Sequence, residues 1–273
     1  MSALDEAPLT PSPCFDQLRV VLVRSRNPLN IGAAARAMSN FGFRTLRLVT
    51  PWEPSYLGAR SAVGASQVLL NAQVFGSVAE AVSDCGLVVG TSAVSDRELH
   101  HPLHALQKGA EWMRGQLPLA PVALLFGSEK FGLSNQDLAH CHWLMRIPTR
   151  DEHHSMNLGQ AVAVCLYELI RATSASQPRA DWGPARIEAQ PLTAPESNTG
   201  APAVAADVER LTQLLFASLR ASGYVHSAGE AAALEKLRCM LRRMNLDRRD
   251  SELWLGMLRQ ILWKLNHTTS GDQ

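Results

Sequence analysis

Between residues 18 and 172, short apolar runs alternate with helix-like segments, and this alternation constrains the fold more than any other feature of the chain. LRVVLVR (18–24) and TLRLV (45–49) bracket NIGAAARAMSNFG, an alanine-rich helical segment stopped by Gly42. SVAEAVSDC (77–85), HALQKGAEWMRGQ (104–116) and SNQDLAHC (134–141) read as helices. They are separated by the strand-like runs GLVVGTS, PVALLFG and HWLMRIP, and NLGQAVAVCLYELIRA closes the series as a long apolar helix. A β-branched run bounded by turn signals suits a strand buried on both faces, and strands alternating with helices specify a parallel sheet. The expected fold class is therefore α/β, a parallel sheet with helices on both faces. Ligand sites of such sheets lie at the carboxyl ends of the strands.

The pattern fails at Thr173. Residues 173–205 are rich in Pro, Ala, Ser and Thr without a period and read as a linker. Residues 206–267 are expected to form a small all-α extension. Val208, Leu211, Leu215 and Leu219 have helical spacing ahead of Gly223, segments 231–244 and 251–265 follow, and Trp254, Leu258, Leu262 and Leu265 are expected on one stripe. Residues 1–17 carry two early acids and no basic region, so they are expected to be a short disordered tail rather than a secretory signal. No apolar run approaches the roughly 20 residues of a membrane span, which predicts a chain with no membrane partner. Cys14, Cys85, Cys141, Cys165 and Cys239 are odd in number and contain no C-x-x-C pair, as expected of reduced thiols in a cytoplasmic protein.

The 26 basic and 25 acidic residues nearly cancel, which excludes a bulk polycation, but their distribution is uneven. Residues 19–60 carry a net +6, residues 236–249 a net +5, and residues 61–206 a net −4. Two separated basic blocks are what a polyanion-binding surface needs; they are equally what two solvated helix faces would show.

Three segments exceed ordinary turn chemistry. Asn27-Pro28-Leu29-Asn30-Ile31-Gly32 follows a strand, with Asn30 placed to cap the next helix and Arg36 nearly two turns further on. Gly127-Ser128-Glu129-Lys130-Phe131-Gly132-Leu133 sets a carboxylate between two glycines, where the backbone can approach a ligand. Ile147-Pro148 is followed by His153-His154-Ser155-Met156-Asn157-Leu158, a polar loop delivering Ser155 to a helix start. Each also has a plain structural reading: a capped helix, an acidic hairpin and an N-cap serine. No Walker loop, G-x-G-x-x-G or G-x-S-x-G is present, which excludes standard phosphate-loop, dinucleotide and serine-hydrolase chemistry. Of His100, His101, His104, His153 and His154, only His100 and His104 have the i, i+4 spacing of H-E-x-x-H, and His-Pro-Leu stands between them in place of the glutamate, so no metal is expected.

In this order the three segments resemble the signature motifs of the SpoU/TrmH branch of the SPOUT RNA 2′-O-methyltransferases. Asn30, Gly32 and Arg36 match the first. Gly127, Glu129, Gly132 and Leu133 match the second, and Ile147, Pro148, Ser155, Asn157 and Leu158 the third. The resemblance implies a methyltransferase domain over residues 18–172 with a C-terminal trefoil knot, a homodimer, and S-adenosylmethionine (SAM) as cofactor. It further implies cofactor contacts from Thr91, Ser92, Ala93, Gly127, Ile147, His154, Ser155 and Met156. Arg36, Ser155, Asn30 and Glu129 are the implied catalytic group. Because a guanidinium is a poor proton acceptor, Arg36 is read as orienting phosphate or ribose rather than as a base. Relatives often follow Thr-Ser-Ala with Arg-Ser-Arg, whereas Val94-Ser95-Asp96 here leaves fewer cations beside the cofactor.

The helical tail, with Leu237-Arg238 and Leu241-Arg242-Arg243, is similar to the extension of a subgroup that methylates position 32 of the tRNA anticodon loop. That implies tRNA as partner, with Arg24, Arg26, Arg238, Arg242 and Arg243 on its phosphates, and either RNA binding or bracing of the dimer as the tail's role. A ribosomal RNA 2′-O-methyltransferase and a non-catalytic RNA-binding protein on the same fold remain the alternatives.

Overall fold

The structure, a computed structural model, describes residues 16–51, 66–93, 101–150, 155–171, 201–226 and 229–268. Seven strands form one all-parallel sheet: β1 (Leu18–Val23), β2 (Thr45–Val49), β3 (Gln73–Phe75), β4 (Leu87–Thr91), β5 (Leu103–Ala105), β6 (Val122–Phe126) and β7 (Trp143–Arg146). Their order is β3-β2-β1-β6-β4-β7-β5. From β1 the chain builds outward through β2 and β3, and the rest of the sheet lies on the other side of β1. The β1/β6 junction is therefore a topological switch point, where a crevice opens beyond the carboxyl ends.

Alternation along the strands sorts side chains to two cores. Leu18, Val20 and Leu22 point into one with Leu124 and Phe126, against α1 (Pro28–Asn40), α4 (Leu106–Gln116) and α6 (Leu158–Ile170). Val21, Val23, Ala123 and Leu125 point into the other, against α3 (Val78–Ala81) and α5 (Asn135–Leu138). α1 and α6 pack so closely that a Cβ at Gly159 would stand 2.6 Å from that of Ala33.

Two strands and one helix escape the sequence reading: β3, β5 and α2 (Ser66–Leu70). Each strand has three residues on a sheet edge, too short for a period. β5 occupies the start of the segment read as one helix from residue 104. The cap of α1 is Asn27, whose side chain accepts from Leu29 N at 3.0 Å with Pro28 in the first turn. Asn30 lies inside the helix. Likewise α6 is capped by Asn157, which accepts from Gly159 N and Gln160 N, and not by Ser155.

The tail is three helices, α7 (Ala205–Ala221), α8 (Glu230–Arg243) and α9 (Arg248–Thr268), around Val208, Leu211, Leu241, Leu255 and Leu258. The stripe on α9 is offset from the expected one: Leu255 and Leu258 are buried, Leu262 and Leu265 half-buried, and Trp254 faces outward. Residues 201–205, assigned to the linker on composition, are structured. Ala203 N donates to Leu246 O, and Ala205 N donates to Cys85 O at 2.8 Å. Cys85 immediately precedes β4, so the tail docks at the amino ends of the strands. Residues 172–200 lie outside the described residues, as does most of the expected N-terminal tail.

Candidate functional site

At the β1/β6 switch point the three motif segments are joined by one chain of hydrogen bonds centred on Glu129. Its Oε1 accepts from Ser25 Oγ and Asn30 Nδ2, both at 3.0 Å, and from Asn27 N at 3.4 Å. Its Oε2 accepts from Arg26 N at 3.4 Å. Asn30 Oδ1 in turn accepts from Asn157 Nδ2 at 3.0 Å, which ties the first segment to the third. Burial works against ionisation of Glu129, but hydrogen bonds from Asn30, Ser25 and the Arg26 backbone prevail and hold its carboxyl below the usual carboxylate range. Glu129 and Asn30, both singled out by the resemblance, thus meet. Ser25 and Asn27 were missed, although Asn27-Pro28 carries the N-cap and first-turn proline signature that could have found the latter.

The second segment is a tight hairpin. Ser128 and Gly132 form an antiparallel bridge, Gly132 N donates to Ser128 O at 2.8 Å, and Gly132 adopts φ +65°. A Cβ at Gly127 would lie 2.0 Å from the Gly132 carbonyl carbon. Glycine at 127 therefore serves closure of the loop on itself. The loop leads into α5, whose capping box pairs Ser134 with Asp137.

Asp137 also takes a two-pronged ion pair from Arg24, itself at φ +52°. Arg24 thereby braces the start of α5. The basic block of residues 19–60 is neutralised further: Arg19 and Arg47 both pair with Asp84. Arg26, Arg36 and Arg44 remain exposed.

The residues implied for the cofactor lie at the carboxyl ends of β6, β4 and β7, which are adjacent in the sheet. Thr91 Oγ1 donates to Leu125 O at 2.9 Å, and Ser92 N donates to Met145 O at 3.0 Å, stitching the three ends together. Thr91, Ser92, Gly127, Ile147 and Met156 are half-buried, while Ala93 and Ser155 are exposed. His154, His153, His100 and Val94-Ser95-Asp96 lie outside the described residues. Arg36 is not drawn into the Glu129 network. It projects from the exposed side of α1, six residues or about 9 Å along the axis from Asn30, and makes no hydrogen bond or ion pair among the described residues.

The tail arginines separate sharply. Arg238 forks onto Glu209, with Nε to Oε2 and Nη2 to Oε1 both at 2.9 Å. Arg242 is 1% exposed, and its Nη2 donates to Ala205 O at 3.2 Å. Both belong to the joint between tail and sheet, which overturns their assignment to RNA phosphates. Arg243, Arg248 and Arg249 face solvent. Desolvation in this joint, reinforced by Arg238 and Arg242, pushes the His140 imidazole down to about 4. Glu209, despite burial, is held down to about 2 by Arg238 and Gln213. Among the described residues no three His, Cys, Asp or Glu side chains converge as metal ligands, and no helix is long and apolar enough to cross a membrane.

A parallel sheet with its polar cluster at the switch point defines an α/β domain with a candidate ligand site at the carboxyl ends of its strands. More specifically, residues 17–167 match the SpoU rRNA methylase family, and the chain belongs to that family. It is 34% identical over 252 residues to the tRNA (cytidine/uridine-2′-O-)-methyltransferase TrmJ of Sodalis glossinidius, covering 92% of each chain. It is 35% identical over 248 residues to the TrmJ of Klebsiella pneumoniae, covering 90% of this chain and 97% of that one. Among solved structures it is similar to TrmJ from Z. mobilis ZM4, with TM-score 0.73 and 31% identity over 89% of this chain and 98% of that one.

Proposed function

We propose that the chain is a SAM-dependent methyltransferase acting on a ribose 2′-hydroxyl of tRNA, at the pyrimidine in position 32 of the anticodon loop. The observation that carries this reading is the Glu129–Asn30–Asn157 relay, which holds the three motif segments together where β1 and β6 end. TrmJ relatives matched over about nine-tenths of the chain, tail included, favour tRNA over ribosomal RNA as substrate.

The residues present fit the cofactor. Ile147, Thr91, Ser92 and Gly127 follow or end the neighbouring strands β7, β4 and β6, and with Met156 ahead of α6 they are all half-buried, a mixture of apolar and polar groups that suits an adenosine moiety. When bound, SAM supplies an electrophilic methyl group. Ser155, exposed at the mouth, would hold the ribose hydroxyl or relay its proton. Glu129 keeps Asn30 and the backbone of residues 26–27 in place, and His154 would complete the cleft. Arg36 orients the ribose or its phosphate, while Arg26 and Arg243 contact phosphates. A trefoil knot after β7, a homodimer and a cytoplasmic location complete the proposal. A second copy is supported by the outward apolar residues of α9, Leu253, Trp254, Met257, Ile261 and Trp263.

The experiment is transfer of labelled methyl from SAM to unmodified tRNA by the full chain, followed by nucleoside analysis. A 2′-O-methylpyrimidine in the anticodon loop is the expected product. A base-methylated product, or label only in ribosomal RNA, would overturn the reading.

A further inference from the structure

The tip of the second motif carries a feature that binding a methyl donor does not require. Phe131 is 62% exposed, two residues beyond Glu129, and Leu29, in the first turn of α1, is 54% exposed. Both belong to the segments that the Glu129 hydrogen bonds hold against each other, so two apolar side chains stand at the rim of a polar cluster. Hairpin geometry fixes where Phe131 sits: the Ser128–Gly132 bridge and the Phe131 N to Ser128 Oγ bond leave residues 129–131 as the turn. Closure of the loop comes from that bridge and its glycines. The aromatic ring is therefore presented by the turn rather than packed within it.

Its neighbour supplies the complementary chemistry. The Lys130 ammonium lies 5.1 Å from the Phe131 ring centroid. A ring face and a cation on adjacent residues match the two recurring parts of a single-stranded nucleotide, a flat base and an anionic phosphate. Stacking on exposed aromatics is how unpaired bases are held.

We infer that Phe131 is a substrate-positioning residue that stacks on an unpaired RNA base at the reaction site, with Lys130 taking the adjacent phosphate. The inference rests on the proposed RNA reading, and it adds a base contact on the motif loop itself. An apolar side chain of similar bulk would not replace the ring, because stacking needs its planar face.

Two measurements on the full chain test it. The first is the KM for tRNA and kcat of methyl transfer in Phe131→Ala, Phe131→Leu and Phe131→Trp, alongside SAM affinity by calorimetry. Loss of one stacked base is expected to raise the KM for tRNA about five- to a hundredfold in the Ala and Leu variants. Phe131→Trp should keep near-native KM, and SAM affinity should be unchanged throughout. The second is quenching of a single-stranded RNA oligonucleotide containing 2-aminopurine, which reports stacking without chemistry. Wild-type quenching that Phe131→Ala abolishes and Phe131→Trp restores supports the inference even if no methyl is transferred, the outcome that would instead remove the proposed activity. A native KM for Phe131→Ala, full rescue by Leu, or no quenching by the wild-type chain overturns it.

Discussion

Removing the Glu209 carboxylate is expected to loosen the tail from the sheet. Glu209 receives both prongs of Arg238 at 2.9 Å, lies 3.8 Å from His140 Nδ1, and accepts from Gln213 Nε2. Glu209→Ala leaves Arg238, 8% exposed, as a buried guanidinium without its carboxylate. Breaking one side of a buried pair typically costs about 3–5 kcal/mol, and the partial exposure of Glu209 places this one near 3. Since about 1.4 kcal/mol is a factor of ten, tail opening should become roughly a hundredfold more frequent. Cys239 and Cys141 are buried, and the carbonyl of Cys85 receives the Ala205 amide, so thiol labelling under native conditions reads this opening directly. Labelling should accelerate by about that factor, while the double variant Glu209→Leu/Arg238→Met, which replaces the pair with apolar volume, should return close to wild type. Wild-type labelling in Glu209→Ala would show that the pair does not hold the joint.

Acid should open the same joint. His140 titrates lower in the docked state (about 4) than when released (6.5), so the released state binds more protons and docking weakens as pH falls from about 6.5 to 4. Glu209, lowered from 4.5 to about 2, extends the loss below pH 4.5, and thiol labelling against pH should show both limbs, with the upper one absent in His140→Gln. Asn157→Ala removes the α6 cap and should lower stability by about 1 kcal/mol in urea unfolding; Asn157→Asp should recover the cap but not the donor to Asn30, restoring stability without turnover. Arg243→Glu with Arg249→Glu should weaken tRNA binding and flatten its salt dependence while kcat stays native; an unchanged salt slope would take these residues off the RNA.

Much of the fold was legible because its strands are buried on both faces and so form uninterrupted apolar runs. β3 and β5 were not, since three residues on an edge leave only half-exposed side chains such as Val74 and Leu103. The resemblance singled out Glu129 and Asn30 but not their hydrogen bond, and the cap at Asn27 lost out to a more conspicuous asparagine three residues on. The arginines were misread for a physical reason. Charge counted along the chain cannot register a partner that is distant in sequence: Arg24 finds Asp137, Arg47 finds Asp84 and Arg238 finds Glu209 only after folding. The role of Gly127 in closing its own loop was not legible either, because a glycine that admits a ligand and one that admits its own loop look alike in sequence.

Parallel strands give the sheet two unlike ends, and the chain uses them differently. Glu129, Asn30 and Asn157 gather beyond the carboxyl ends, while the tail is fastened through Ala205 and Ala206 to the carbonyls of Cys85 and Ser83 before β4 begins. A five-residue strand spans about 17 Å, roughly two Debye lengths at physiological salt. Charges on the tail therefore exert little field on the Glu129 cluster of the same chain. Substitutions at the two ends should combine additively in free energy, as distant sites without shared partners do. Under the proposed function, an RNA reaching both ends must run along the sheet or cross to a second subunit. In either arrangement, the tail's cations set how often the substrate is held and the motif cluster sets what happens once it is.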